Sequence, residues 1–493
     1  MRQLVTKTAV ALAIVIGAAL SALPASTSSD GKAPLTTNSE SALENYKKGR
    51  GLIENLRAIE ARPFLQKAIE EDPNFAVAHL LLAQAQPTNK LFTESLNKAT
   101  SLADQVSEAE YNWILGFEAG TIDADPEKQR VFFAAIVKAY PNDERARNLL
   151  GTNYFVQQEW GKAIAEYKRA IKIDPEYAGV YNLMGYAYRS LEEFDKAEKI
   201  FKKYTELIPD DPNPYDSYAE LLMKIGRYVE SIEQYQKALD MNPKFVFSHA
   251  GIASNYNFLG KHDKAREQLT KMYDGAQNDF QRRFSLTAMG NSYTDEGKFD
   301  LAVAQFDKCY MMDKAAGDTA AMSTDLVLRA YTIIETPGGG QEALENFKSS
   351  LALIESSSVS EKLKTQTRIG FLFNSGRAYE VIGDLENANK NVTAYLKQAT
   401  EKQNKNQIKA AHHLAGRIAL QEGKYDLALK ELLQSNLQNP NHLYFIGKAY
   451  EGKGVLDKAK EFYDKVANFN GLNNGLLASV RVKATEKVKS LSL

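Results

Sequence analysis

A proline recurs at a fixed interval through the first half of this 493-residue chain. The prolines, each 34 residues from the next, are Pro141, Pro175, Pro209 and Pro243. The residues between them repeat one pattern, which divides this region into the units 144–177, 178–211, 212–245 and 246–279. Such a period predicts a repeat protein in which no unit buries its own apolar face, so that stability comes from stacking.

Within each unit, counted from its first residue, small and large side chains occupy fixed positions. Position 8 is small, with Gly151, Gly185, Ala219 and Ala253. Position 20 is also small, with Ala163, Ala197, Ser231 and Ala265, whereas position 24 is large, with Tyr167, Phe201, Tyr235 and Leu269. Small residues allow two antiparallel helices to cross closely, and large ones fill the groove between neighbours. The pattern therefore predicts helical hairpins, with the proline at position 32 separating one unit from the next.

This pattern resembles the tetratricopeptide repeat (TPR), and the resemblance covers nearly all of the chain after its N-terminal segment. It implies an all-α fold, an α-solenoid that winds as a right-handed superhelix of about ten to twelve hairpins with a C-terminal capping helix. The register extends back to residue 42 and slips after Asp279, where Gly290, Ala302 and Phe306 restart it. We expect three parts, a regular N-terminal array over 41–280, a looser C-terminal array over 281–474 and the capping helix over 475–493.

The N-terminal segment has the layout of an export signal. Arg2 and Lys7 precede an apolar run, and small residues and a Ser/Thr-rich stretch follow it. This layout is typical of a secretory signal peptide, predicted over 1–25, followed by a flexible linker over 26–40. The alternative is an uncleaved membrane anchor, although an apolar run of about fifteen residues is short for a span. The expected location is exported, either periplasmic or secreted, with no membrane span after the signal is removed.

Residues that could carry catalysis or bind a metal do not converge in this pattern. His79 and His249 fall at position 4 of units that lie far apart, and the adjacent His412 and His413 point in different directions on a helix. Cys309, the only cysteine, falls at a small position of its unit, which indicates a core residue. No phosphate-binding loop, zinc-protease motif or nucleophile elbow is present. The sequence predicts a protein that is not an enzyme and that has no metal or other cofactor.

The remaining candidate for a functional site is the surface of the predicted solenoid. With 61 basic and 62 acidic residues, the chain offers no bulk electrostatic reason to bind nucleic acid. In the TPR family the first helix of each unit lines the concave side. On this resemblance the candidate partner-binding residues are Asn148, Thr152, Asn182, Tyr186, Arg189, Asn213, Asp216, Glu220 and Asn257. Amide side chains there can pair with the backbone of an extended peptide.

The predicted function is that of a protein–protein interaction scaffold, which binds partner protein or peptide segments in the concave groove of the superhelix. Two alternatives stay open, a structural subunit of a cell-envelope assembly and an accessory subunit of a partner enzyme. TPR co-chaperones grip a C-terminal carboxylate with a set of lysine, asparagine and arginine residues. That set is absent here, because Leu183 and Ser217 stand at two of its positions.

Overall fold

The computed structural model describes residues 31–55, 57–472 and 475–492, and every regular element among them is a helix. In chain order the α-helices are α1 (Glu40–Glu54), α2 (Ala58–Glu71), α3 (Ala76–Ala85), α4 (Asn89–Ser101), α5 (Glu108–Thr121), α6 (Pro126–Ala139), α7 (Glu144–Val156), α8 (Trp160–Ile173), α9 (Ala178–Ser190), α10 (Phe194–Leu207), α11 (Pro212–Lys224), α12 (Tyr228–Met241), α13 (Val246–Phe258), α14 (His262–Asp274), α15 (Asp279–Asp295), α16 (Phe299–Ala316), α17 (Thr319–Ile333), α18 (Gly340–Glu355), α19 (Glu361–Ile382), α20 (Leu385–Glu401), α21 (Lys405–Gln421), α22 (Tyr425–Leu432), α23 (Pro440–Gly452), α24 (Leu456–Ala467) and α25 (Gly475–Ser490). A short 3₁₀ helix, Ala103–Gln105, lies between α4 and α5.

Consecutive helices of the described chain pair into twelve hairpins, from α1–α2 to α23–α24. The second helix of each hairpin also packs against the first helix of the next, so the hairpins stack in sequence order. The last helix, α25, packs against α24 and α23. The predicted α-solenoid, its number of hairpins and its terminal capping helix are confirmed.

The small and aromatic positions of the repeat meet inside each hairpin. A Cβ atom added to Gly185 would lie 2.7 Å from the Phe201 ring, and one added to Gly151 would lie 2.5 Å from the Tyr167 ring. Both rings are completely buried. The glycine therefore lets an aromatic ring lie flat against the backbone of the partner helix, which is the close crossing that the sequence predicts.

The side chain at position 4 closes the junction between units. Its polar end donates a hydrogen bond to the carbonyl of the preceding proline, as seen for His79 to Pro73 (3.0 Å), Tyr181 to Pro175 (2.9 Å), Tyr215 to Pro209 (3.0 Å) and His249 to Pro243 (3.2 Å). Histidine and tyrosine are interchangeable there because each offers one donor at a similar reach. These histidines have a structural role, and burial lowers the pKa of both.

The change of phase after residue 279 has a simple cause in helix length. Helices α7 to α14 contain 13 or 14 residues, whereas α15 to α21 contain 15 to 22. Longer helices lengthen the repeat beyond 34 residues, so the register of the first array cannot continue. The independence of the arrays 41–280 and 281–474 stays a prediction.

Residues about one superhelical turn apart touch along what we call the inter-turn seam. Its contacts join residues 242–251 positions apart, which is roughly seven units of the repeat. They are Lys362 with Glu118 (3.2 Å), Lys405 with Glu159 (2.7 Å), Lys409 with Gln158 (2.6 Å) and Asn470 with Tyr228 (2.8 Å). The turns after the first helices of the early hairpins thus meet the later hairpins and the segment before α25.

A cluster of ion pairs around Glu159 lies on this seam. Glu159 lies 2.7 Å from the ammonium of Lys405 and 2.8 Å from the guanidinium of Arg130. Partial burial alone would raise its pKa, but hydrogen bonds from Lys162 and Lys405 together with the charge of Arg130 lower the pKa of Glu159 to about 2. The seam is therefore held partly by ion pairs, whose strength depends on salt.

Both ends of the described chain make contacts that the sequence does not indicate. Helix α25 contacts α15 and α17 as well as the last hairpin, and Leu477 packs with Met223 and Phe258 from the first array. At the other end, the predicted signal peptide over 1–25 lies outside the described residues. In the described part of the predicted linker over 26–40, residues 32–38 form no regular secondary structure and lie against the first hairpins, where hydrogen bonds hold them.

None of the helices in the described part of the chain combines the length and the apolar character that a membrane crossing requires.

Candidate functional site

The inner side of the first five hairpins encloses a cavity of about 820 Å³. The first helices of these hairpins, α1, α3, α5, α7 and α9, supply most of its wall, and α6 contributes Gln129, Phe133 and Ile136. Apolar side chains predominate, among them Leu43, Ile53, Leu81, Trp113, Phe117, Leu149 and Leu183. Polar side chains at intervals complete the wall, namely Gln84, Thr121, Asn148, Thr152 and Asn182. An apolar cleft with a few placed polar groups is the usual form of a binding site.

A charged cluster on α1, α7 and the start of α9 holds one side of this cavity. The Arg145 guanidinium lies 3.2 Å from the Glu54 carboxylate and 4.9 Å from the centre of the Tyr177 ring. The Asn148 amide donates to the Tyr177 hydroxyl at 3.1 Å. Burial alone would lower the pKa of Arg145, but the charge of Glu54 raises it above its usual value. The cluster therefore holds the positively charged Arg145 side chain at the cavity wall.

Two amides on this wall keep unused acceptors. The side-chain oxygens of Asn148 and Asn182 are buried and meet no hydrogen-bond donor in the described part of the chain. A buried acceptor without a partner costs free energy. Either amide could accept from the N–H of a bound backbone only after its side chain rotated toward the cavity, which for Asn148 would break the bond to Tyr177.

The nine predicted binding residues do not share one open surface. Asn148, Thr152 and Asn182 line the cavity, as expected for a concave face. Asn213, Asp216 and Asn257 are buried between helices instead, and the remaining three form a closed cluster.

That closed cluster joins α9 to α11. The Arg189 guanidinium lies 3.0 Å from Glu220 and 4.6 Å from the centre of the Tyr186 ring, and the Tyr186 hydroxyl donates to Glu220 at 2.5 Å. All three groups are paired with one another. They are therefore less available to a partner than the sequence alone suggests.

The buried polar residues link first helices of successive hairpins in the same way. Ser248 donates to Asp216 at 2.7 Å, and Ser292 donates to Asn257 at 2.9 Å. Burial raises the pKa of Asp216 to about 7, even though the bond from Ser248 lowers it. The predicted binding residues from Tyr186 to Asn257 thus have a structural explanation, whereas Asn148, Thr152 and Asn182 lie on the cavity wall.

Residues 32–38, which we call the strap, form the outer edge of the cavity. Lys32, Ala33, Pro34 and Leu35 line it. The Lys32 ammonium lies 2.9 Å from the Glu144 carboxylate. The Ala33 backbone N–H donates to Asp143 at 2.8 Å. The strap therefore follows the edge of the concave face where the first helices begin.

The second half of the strap continues toward α1. The Thr36 backbone N–H donates to Glu110 at 2.9 Å, its hydroxyl donates to the same carboxylate, and Thr37 donates to Asp72 at 2.6 Å. Leu35 packs on the core of the first hairpins. The chain then reaches Ser39, which caps the start of α1.

The carboxylates that hold the strap are part of the helix starts themselves. Asp143 caps α7 by accepting from the Ala146 N–H at 2.8 Å. Ser107 and Glu110 form a capping box at the start of α5. None of these residues is among the nine predicted binding residues. The signal was present in Ser107 and Glu110 three residues apart, one unit before the acidic pair Asp143 and Glu144.

The inner side of the later hairpins carries a buried charged network. His413 and His442 stack with ring centres 3.8 Å apart, while Arg417 pairs with Glu380 at 2.6 Å and covers the Phe445 ring. Burial lowers the pKa of His442 to about 3 and that of His413 well below its usual value. Both rings are neutral and packed. In the described part of the chain no group of three potential metal-binding side chains is found.

Comparisons with known proteins agree with this architecture. A family model described as TPR repeat matches residues 151–191, and one described as tetratricopeptide repeat matches 178–211, 213–245, 285–315 and 443–470. The protein carries tetratricopeptide repeats. Over 185 residues it is 30% identical to the TPR repeat-containing protein MJ1428 of Methanocaldococcus jannaschii, a match that covers 36% of this chain and 28% of that relative.

Solved TPR structures match part of the chain. A tetratricopeptide repeat protein from Parabacteroides merdae is 16% identical, and the match covers 55% of this chain and 92% of that one with a TM-score of 0.34. YrrB, described as a TPR protein with an unusual peptide-binding site, is 17% identical over 36% of this chain and 89% of its own, with a TM-score of 0.26.

Proposed function

We propose that this TPR protein is an exported scaffold without catalytic activity, which binds segments of partner proteins in the cavity formed by α1 to α9. The observation that carries the proposal is the cavity itself. It combines an apolar wall with the unpaired amide oxygens of Asn148 and Asn182, and an extended piece of chain already lies along its edge.

A substitution that fills the cavity tests the proposal. Gln84 is exposed and lines the cavity, so Gln84→Trp places a large ring in the space that a partner needs. Gln421→Trp is the matched control, because Gln421 is an exposed glutamine at the end of α21. Both variants should melt like the wild-type protein.

The readout is quantitative affinity capture from the envelope fraction of the native cell. A partner that binds in the cavity is retained by the wild-type protein and by Gln421→Trp, and is lost with Gln84→Trp. Equal capture by all three proteins would contradict the proposal. It would favour the lateral contacts expected of a structural subunit or of an accessory subunit.

The proposed export rests on the N-terminal sequence, which lies outside the described residues. Fractionation of the cell and sequencing of the mature N-terminus test it. Mature protein in the periplasm or medium that starts near residue 26 is expected, and protein that starts at Met1 in the cytoplasm would refute export.

A further inference from the structure

The strap indicates which peptides this protein binds. We infer that the acidic rim, defined as Asp72, Glu110, Asp143 and Glu144, is a recognition site for an extended peptide, and that the strap occupies this site as a replaceable ligand. The peptide carries a cation, an apolar residue three positions later and a hydroxyl residue directly after that. The inference rests on the proposed function and names the partner chemistry for one edge of the same cavity.

The strap contacts several successive hairpins along one edge. Ala33 contacts the start of α7, and Thr36 contacts the start of α5, one hairpin earlier. The next residue, Thr37, reaches Asp72, which lies before α3. A single extended segment can therefore engage three neighbouring hairpins at once.

Several contacts of the strap use atoms that every peptide possesses. The backbone N–H groups of Ala33 and Thr36 donate to Asp143 and Glu110, and the Pro34 carbonyl accepts from the Ser107 hydroxyl at 3.3 Å. Backbone bonds of this type supply affinity in the recognition of extended peptides, and side-chain pockets supply specificity. The rim can therefore hold a peptide from another protein by the same bonds.

Side chains of the strap define the specificity. Lys32 pairs with Glu144, Leu35 packs on the apolar core beneath it, and the Thr36 hydroxyl bonds to Glu110. These three positions give the order cation, apolar residue and hydroxyl residue. Asn38, by contrast, is exposed to solvent and does not contribute to this order.

The charge of the rim favours a partner of this kind. With the strap in place, Glu110 and Glu144 are almost completely buried, with exposures of 1% and 0%, and Glu144 also pairs with Arg145. Burial raises the pKa of Glu110 although Thr36 and Ser107 donate hydrogen bonds to it. A carboxylate in such a place needs donors or a cation. The strap supplies several of them, and an acidic peptide would be repelled.

The strap can leave while the side-chain cap of α1 stays in place. It precedes Ser39, whose hydroxyl accepts from the Ala42 N–H at 3.1 Å. A bond from the Ser39 N–H to the Thr37 hydroxyl at 3.2 Å is lost on release. A segment tethered this closely has an effective concentration on the order of 1 mM at its site. The strap therefore weakens the binding of a second peptide, because the apparent dissociation constant equals the intrinsic one divided by the fraction of molecules with a free rim.

A fluorescently labelled peptide with the sequence of residues 31–39 tests the inference by anisotropy. It should bind the full chain from which residues 31–38 are deleted at least about tenfold more tightly than it binds the intact chain. The Lys32→Glu and Leu35→Asp peptides should bind more weakly, and the Asn38→Ala peptide should bind like the parent. In the deletion protein, Glu110→Gln should weaken binding, whereas Glu108→Gln, an exposed neighbour on α5, should not.

Absence of peptide binding to the folded deletion protein would overturn the inference, as would equal binding of the parent and Lys32→Glu peptides. Should the deletion protein fail to fold, Thr36→Pro in the intact chain removes the N–H and the hydroxyl that hold Glu110, and it should admit the peptide. Peptide excluded from that variant as well would equally overturn the inference. If the peptide does not bind while Gln84→Trp still abolishes partner capture, the proposed function is supported. Only the assignment of the acidic rim as a peptide-binding site is then wrong.

Discussion

The contact between Gly185 and Phe201 predicts the sign of a stability change. A Cβ atom at position 185 would lie 2.7 Å from the Phe201 ring, so the ring must recede by about 0.7 Å to reach ordinary contact distance. The ring is completely buried and packs edge-on against Tyr186, with ring centres 5.2 Å apart. It has little room to move, because protein interiors are close-packed.

The magnitude follows from two opposing effects. Overpacking of a core costs about 1–3 kcal/mol, and replacing glycine with alanine inside a helix gains about 1 kcal/mol. Gly185→Ala should therefore lower the free energy of unfolding by about 1 kcal/mol. Gly370 provides the matched control, since it lies inside α19 and an added Cβ meets no atom within 4 Å. Gly370→Ala should be stabilising by about 0.5–1 kcal/mol.

Urea unfolding followed by circular dichroism measures both variants. The midpoint should fall for Gly185→Ala and rise for Gly370→Ala, each with an unchanged slope. A rise for Gly185→Ala equal to that of the control would show that the small position does not set the distance between the two helices. The physical interpretation of the repeat would then be wrong.

Three further predictions concern charge and reactivity. Because burial raises the pKa of Asp216 to about 7, the stability that its neutral form contributes should decline as the pH rises from about 4 to 7, and urea midpoints at pH 5 and pH 7.5 should differ less in Asp216→Asn than in the wild-type protein. Lys405→Glu should repel Glu159 across the inter-turn seam and increase the radius of gyration in X-ray scattering, whereas Lys397→Glu, exposed on α20, should leave it unchanged. Burial raises the pKa of the Cys309 thiol to about 12, so it should react with Ellman's reagent only after unfolding, and rapid reaction of the native protein would contradict its core position.

Local pattern was sufficient to predict the repeat. The spacing of glycine, alanine and aromatic residues reports contacts within one hairpin, such as that of Gly151 with Tyr167. The placement of Cys309 and the divergence of two adjacent histidines follow from the same register. His412 contacts Glu431 at 2.7 Å, while His413 stacks on His442.

The seam and the strap could not be predicted in this way. The seam joins residues such as Lys405 and Glu159, whose approach depends on the rotation accumulated over about seven hairpins. No local sequence pattern reports this accumulated rotation. The strap has the polar, proline-containing composition of a linker, yet backbone groups make several of its contacts, and backbone groups leave no trace in composition.

The concave residues show why the candidate site was predicted only in part. Helical periodicity places Asn148 and Asn257 on equivalent faces of their hairpins. The structure leaves the first on the cavity wall and buries the second beneath Ser292 of the next first helix. Periodicity defines which face a residue occupies, whereas the depth of the groove at that point depends on how tightly the successive hairpins wind.

Photo-crosslinking in the native cell tests directly whether partner proteins bind in the cavity formed by α1 to α9. A photoreactive amino acid at position 84 lies in the cavity, and one at position 229 replaces Val229, which is exposed on α12 with 67% of its surface accessible. If partners bind in the cavity, a partner crosslinks from position 84, through an extended segment identified by mass spectrometry, and not from position 229. Crosslinks to the partner from position 229 alone would place binding outside the cavity and contradict the proposed function.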